Sequence, residues 1–269
     1  MSNLTPENWM PTRARLISVS LRSKLMLVLT AVVGLMAFLW PLFVNPTGIE
    51  QYTTQIPFIF SAILPFMLML TVTEMSSNSI DVKALAVLGV LVAVGAVLRL
   101  VSAGTAGVEL IFFMIILGGR VFGPGFGFLL GLLTLFASAL LTGGVGPWLP
   151  YQMIASGFVG MFAGLLPQLR GKAEIVLLAA YGLFSAFAYG WLMDFAFWPY
   201  AVGMYSDLSW DPEATRLHNL HTFVLYNIAT SMGWNLVRGI TNVLTITLLG
   251  PGVLIVLRRT IRKGNFVEN

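Results

Sequence analysis

Apolar residues in this chain gather in long unbroken stretches, with neither the two-residue alternation of strands nor the short stripes of soluble helices. Eight such runs stand out: 24–44, 57–73, 84–98, 108–119, 123–141, 151–166, 175–193 and 222–257. Each predicts a helix, because backbone surrounded by hydrocarbon must satisfy its own hydrogen bonds. The fold class expected is all-α, a polytopic membrane helix bundle. A bilayer crossing takes about 20 residues, and several runs fall short of that. The run 108–119 rises only about 18 Å as a helix, so it is expected inside the bundle or lengthened by its loops. The first run is too long for a signal peptide, and no small-residue cleavage site follows it before Pro46.

Lysine and arginine set the expected orientation. Arg13, Arg15, Arg22 and Lys24 precede or open the first run, and Lys83 follows the second. Arg120 follows the fourth, Arg170 and Lys172 the sixth, and Arg258, Arg259, Arg262 and Lys263 the last. Alternate loops are thus basic and are expected in the cytoplasm with both termini. The opposite loops hold Glu50, Asp207, Asp211 and Glu213 against a lone Arg216. Composition agrees: 57% of residues are hydrophobic and 10% charged, against about a quarter charged in soluble domains. The net charge of +4 follows the run boundaries, so it marks topology and not a nucleic-acid face. There is no cysteine, which removes thiolate chemistry, and two histidines, His218 and His221, are too few for a multi-histidine metal site.

Four charges break the apolar pattern at one expected mouth. Arg99 closes the third run, Glu109 opens the fourth, Asp194 closes the seventh, and Arg238 lies about 20 residues before the basic end. Snorkelling or paired interface charges would account for any one of them. Four together suggest a polar pocket opening to the outside. The last run would extend about 54 Å as a single helix, with Pro251 expected to kink its inner end. Asn227, Ser231, Asn235, Arg238 and Asn242 recur on it in steps of three and four, with Tyr226 and Trp234 close by. That spacing makes one polar face, suited either to interhelical hydrogen bonding or to a pocket wall.

Two outer loops carry unusual content. The stretch 142–152 holds three glycines and two prolines, which exclude a helical loop, followed or flanked by Trp148, Tyr151 and Gln152. The stretch 198–221 is long and aromatic, with Trp198, Tyr200, Tyr205 and Trp210, and reads as a lid for a bulky, partly planar solute. On the third run, Ala86, Gly89, Ala93 and Ala96 make a small-residue face for close helix packing, within the chain or against a partner. The glycine-rich stretch 120–127 is no phosphate loop, since no Gly-Lys-Ser/Thr follows. No serine-histidine hydrolase pattern, zinc-protease motif, intramembrane acid dyad or nucleotide-binding motif is present. The chain therefore reads as a non-enzyme without a cofactor or metal.

From residue 82 to 257 the chain resembles a substrate-binding S component of an energy-coupling factor (ECF) vitamin transporter. The resemblance rests on Gly118-Gly119-Arg120-Val121-Phe122-Gly123-Pro124-Gly125-Phe126-Gly127-Phe128-Leu129-Leu130-Gly131 and on Gly146-Pro147-Trp148-Leu149-Pro150-Tyr151-Gln152-Met153. The face around Gly89 and Ala93 resembles the family's alanine motif, with glycine at one position. The resemblance implies a six-helix substrate-binding core over 82–269; residues 1–81, whose two apolar runs are read as transmembrane helices, lie outside it. It implies a prokaryotic cytoplasmic-membrane protein whose partners are a transmembrane coupling protein and two ATPases. Pocket residues on this reading are Arg99, Glu109, Trp148, Tyr151, Gln152, Asp194, Trp198, Asn227, Asn235 and Arg238, and coupling residues are Ala86, Gly89, Ala93 and Ala96. The Gly-Pro-Trp-x-Pro-Tyr-Gln variant at 146–152 resembles members taking a cobalamin-type solute, with riboflavin, thiamine-like compounds and queuosine precursors as the other solutes the resemblance leaves open. The alternatives are a stand-alone channel or secondary transporter, and an intramembrane enzyme or assembly factor.

Overall fold

A computed structural model of the chain describes residues 21–43, 56–79, 82–102, 106–201, 206–211 and 213–263. Arg13, Arg15, Pro46, Glu50 and Tyr205 lie outside them, as do the side chains of Tyr200, Arg262 and Lys263. Ten helices and no strand occur among the described residues: α1 (Leu21–Phe43), α2 (Ile56–Ser79), α3 (Val82–Ser102), α4 (Ile111–Phe122), α5 (Pro124–Thr142), α6 (Leu149–Leu165), α7 (Gly171–Ala201), α8 (Arg216–Thr230), α9 (Met232–Leu248) and α10 (Gly250–Lys263). Four spans, Leu21–Phe43, Val82–Ser102, Pro124–Thr142 and Gly171–Pro199, are long and apolar enough to cross a bilayer, and the bent pair α9–α10 makes a fifth. Leu25, Val28, Phe66, Val90, Val97 and Phe184 are among many large apolar side chains left exposed. In water such a surface would aggregate; in a bilayer it faces lipid. The protein is a multi-pass membrane helix bundle.

The short fourth run sits inside, as its length requires. Every residue of α4 except Val121 is buried, as befits a helix apolar on all sides. It is walled by α5, α6, α3, α7 and α10. Glycines let the walls close in: a Cβ on Gly119 or Gly127 would come within 2.1 or 2.2 Å of the Gly160 carbonyl oxygen. Gly123, at φ 95°, breaks α4 from α5, and Pro124 restarts the chain as the first helical residue, where its missing N–H costs nothing. One apolar core joins Phe38 of α1 and Leu64 of α2 to Ile115 of α4, Ile154 of α6 and Leu257 of α10.

Three sequence expectations about element boundaries are corrected. The eighth apolar run is three helices, with breaks at Ser231 and Leu249 and a bend of 65° between α9 and α10. Pro251 explains the bend, since it cannot donate to the preceding turn. The loop expected over 142–152 is only 143–148, because Pro150 is tolerated in the first turn of α6 and Tyr151 and Gln152 are helical. The lid expected from residue 198 is also shorter: α7 runs on to Ala201 and α8 begins at Arg216.

The bundle end carrying Arg120 is tied by a buried charge cluster. Glu174 Oε1 accepts from Arg120 Nε at 2.8 Å and from Arg258 Nη2 at 2.6 Å. Arg120 Nη1 also donates to the carbonyls of Leu166 and Pro167 at 3.0 and 3.1 Å. These bonds pin the end of α4, the 166–170 turn, the start of α7 and α10 together. Glu174→Gln removes the charge shared by two arginines, and hydrogen bonds to charged groups are worth about 1.5–3 kcal/mol. The melting temperature of the purified variant should fall by several degrees, read by differential scanning fluorimetry.

Candidate functional site

At the opposite end of the bundle the four charges that interrupt or bound the apolar runs converge. Arg99 arrives from the last turn of α3, Glu109 from the 106–110 connection, Asp194 from α7 and Arg238 from α9. They line two adjoining chambers open to solvent, of about 250 and 220 Å³, and Arg99, Glu109, Gln152 and Trp234 border both. One chamber extends toward Trp148, Thr142 and Gly144, and the other toward Tyr189, Asp194, Asn235 and Arg238.

Each charge is held by its own geometry. Arg238 Nη2 donates to Glu109 Oε1 at 3.0 Å, and its Nη1 donates to Asn235 Oδ1 at 2.9 Å and to the Ala186 carbonyl at 3.3 Å. The guanidinium also lies 5.1 Å from the ring centre of Tyr189 and 5.9 Å from that of Phe112, a cation–π setting in low dielectric. Asp194 Oδ2 accepts from Asn227 Nδ2 at 2.6 Å, and Arg99 Nη1 donates to Ser138 Oγ at 3.0 Å. The ion pair of Arg238 with Glu109 neutralises those two. Arg99 and Asp194 have no ion-pair partner within 4.0 Å among the described residues. Arg99 and Asp194, of opposite sign and each without a salt bridge of its own among the described residues, therefore face one cavity.

The polar stripe of the eighth run survives its interruption. Ser231 N–H donates to Asn227 O at 2.9 Å and Asn235 N–H to Ser231 O at 3.0 Å, so helical register passes through the break. Asn227, Asn235, Arg238 and Asn242 are all buried. Their uses differ: Asn235 and Arg238 reach the cavity, Asn227 stands behind Asp194, and Asn242 donates to the Gly182 carbonyl at 2.9 Å. The stripe is thus pocket wall at its outer part and interhelical bonding at its inner part. Two glycines make room. A Cβ on Gly190 would lie 1.9 Å from Asn235 Oδ1, and Gly107, at φ +86°, passes the Trp234 backbone.

Of the expected pocket residues, Arg99, Glu109, Trp148, Gln152, Asp194, Asn235 and Arg238 line the chambers. Three do not. Tyr151 is fully buried, edge-on to Phe38 and Phe197. Trp198 is sealed among Phe195, Phe223 and Tyr226 and donates through Nε1 to the Leu208 carbonyl at 2.7 Å. Asn227 supports Asp194 without bordering either chamber. Tyr189, Ser231, Met193 and Trp234 complete the walls; only Trp234 and Ser231 carried a sequence signal, through the α9 stripe. His218 and His221 are exposed on α8, away from both chambers. On α3, Ala86, Gly89 and Ala93 are exposed, whereas Ala96 is buried beside Gly95, against α5. Ala96 thus turns away from the face the other three share.

The protein-family model described as ECF transporter, substrate-specific component, matches residues 83–251. That segment starts with α3 and contains every cavity-lining residue named above, while α1 and α2 precede it. No curated protein and no solved structure matches the chain.

Proposed function

Because the chain belongs to the family of ECF transporter substrate-specific components, we propose that it captures a vitamin-like solute between Arg99, Glu109, Asp194 and Arg238 and delivers it inward. The observation that carries this reading is the convergence of four charges, from four separate segments, on one open cavity. Charges are costly in a membrane unless they pair or serve a ligand. The basic residues Lys83, Arg120, Arg170, Lys172 and Arg258 flank the opposite helix ends, which by the positive-inside rule supports a cavity facing outward from a prokaryotic cytoplasmic membrane. The work of transport falls to a transmembrane coupling protein and two ATPase subunits, since the chain has no nucleotide-binding motif. The chain contributes affinity and a docking face, and no bond chemistry.

The walls describe the solute. Trp148, Trp234 and Tyr189 offer flat apolar area. Arg99 suits an acceptor-rich or anionic group, and Asp194 a donor or cation. A cobalamin-type solute is the choice suggested by the loop before Gln152. The adjoining chambers of about 250 and 220 Å³ together fall in the lower part of the roughly 300–1,000 Å³ range of drug-sized pockets, which favours a vitamin-like molecule smaller than a whole corrinoid. Mass spectrometry of small molecules released from the purified protein tests this. One charged, partly planar compound should be released, and the coupling protein and ATPases should copurify. A stand-alone transporter would instead move solute with no ATPase present.

The exposed stripe of Ala86, Gly89 and Ala93 is the docking face for the coupling protein. A Cβ on Gly89 meets nothing within 4 Å, so the chain itself has no use for the missing side chain. Gly89→Leu should leave the melting temperature and the bound solute unchanged while association with the coupling protein drops at least tenfold in a pull-down, as expected where small residues allow helix approach.

A further inference from the structure

We propose that α1 and α2, which precede the family segment, are a brace that holds the mouth of the cavity in its binding shape. The proposal rests on the cavity being the solute site. Both segments at the mouth are gripped from behind. Ser61 Oγ, near the start of α2, donates to the Pro147 carbonyl at 2.8 Å; the next residue, Trp148, is cavity wall. Trp40 Nε1, near the end of α1, donates to the Ala196 carbonyl at 3.1 Å, two residues beyond Asp194. The Trp40 ring also meets Trp210 edge-on at 5.8 Å, and Trp198 fixes the same loop through the Leu208 carbonyl. Phe38 packs edge-on against Tyr151 at 5.4 Å, beside the cavity residue Gln152.

The brace is itself stiffened. Thr30 and Thr71 share a hydroxyl hydrogen bond at 2.6 Å, which ties α1 to α2 in apolar surroundings. Gly34 brings α1 onto α6, where a Cβ would lie 2.9 Å from Ile154. Loops ordered before binding do not have to be ordered by the solute, so affinity rises without any added contact to it. Ser61 and Trp40 are positioning residues: they touch the cavity's frame and never line the cavity.

Hydrogen–deuterium exchange on the full chain in lipid nanodiscs tests the brace without a ligand. In Ser61→Ala and Trp40→Phe, amides at 144–149 and 206–211 should exchange roughly two- to tenfold faster, the loss expected from one hydrogen bond, with α4 and α5 unchanged. Ser61→Thr, which keeps the hydroxyl, should restore wild-type exchange at 144–149. The fraction of chains that retain a small molecule through purification, read by native mass spectrometry, should fall in the two loosened variants and recover in Ser61→Thr. Unchanged loop exchange overturns the proposal, as does faster exchange spread through α4 and α5, or unchanged retention in loosened loops. Loosened loops in a protein whose wild type retains no small molecule would count against solute capture and leave the brace standing.

Discussion

Gly160→Leu should yield no folded protein. Gly160 on α6 faces Gly127 on α5 so closely that a Cβ at 160 would lie 2.0 Å from the Gly127 carbonyl oxygen, and one at 127 would lie 2.2 Å from the Gly160 oxygen. The obstructing atoms are backbone, so no rotamer change relieves the clash. The helices would have to part, and with them the contact of Gly119 on α4 with Gly160 and that of Gly131 with the Ser156 carbonyl. The resulting loss should exceed about 4 kcal/mol, beyond ordinary overpacking and a large share of a typical stability. Monodisperse protein should vanish from size-exclusion chromatography after detergent extraction. Gly89→Leu, the same change on an open face, should express as wild type.

The second large effect is expected at Arg238. Its guanidinium satisfies Glu109, Asn235 and the Ala186 carbonyl together. Arg238→Met fills a similar volume but leaves Glu109 with no ion-pair partner at the cavity and Asn235 short of a donor. Truncating one member of a hydrogen-bonded charge pair costs about 2–5 kcal/mol, which at the solute site is roughly thirtyfold or more in affinity. Arg238→Lys keeps the charge but not the planar fork, so one bond is kept and the others lost; roughly a tenfold weakening is expected. Equilibrium dialysis of the copurifying compound against each variant gives the ratios. Equal affinity in all three proteins would remove Arg238 from the site.

The polar stripe on the last apolar run was readable in the sequence because hydrogen bonding continues through Ser231, so spacing in sequence remains spacing on one face. Arg99, Glu109, Asp194 and Arg238 were readable for a related reason, as charges interrupting apolar runs. What the spacing hid is tertiary. Arg120 looked like a topology signal, yet its side chain is buried on Glu174, 54 residues away. Trp198 looked like lid, but the partners that bury it come from residues 195, 223 and 226. The seventh apolar run ends at Met193, since Asp194 is charged. The helix continues to Ala201, since a charge interrupts an apolar run without breaking backbone hydrogen bonding, and Asn227 of a neighbouring helix donates to that carboxylate. Tyr189 carries no signal in the sequence; its ring enters the site through tertiary packing, under Arg238 and in the cavity wall.

A cavity open to the outside of the cell is the claim on which the account stands, and cysteine labelling tests it most directly. The chain has no cysteine of its own, so single substitutions report cleanly. Gln152→Cys, at the border of both chambers, should react with a membrane-impermeant maleimide added to intact cells. Arg170→Cys, exposed near the basic end, should react only in inverted vesicles. Labelling of Gln152→Cys only after inversion, or in neither preparation, would contradict an outward solute-capture site.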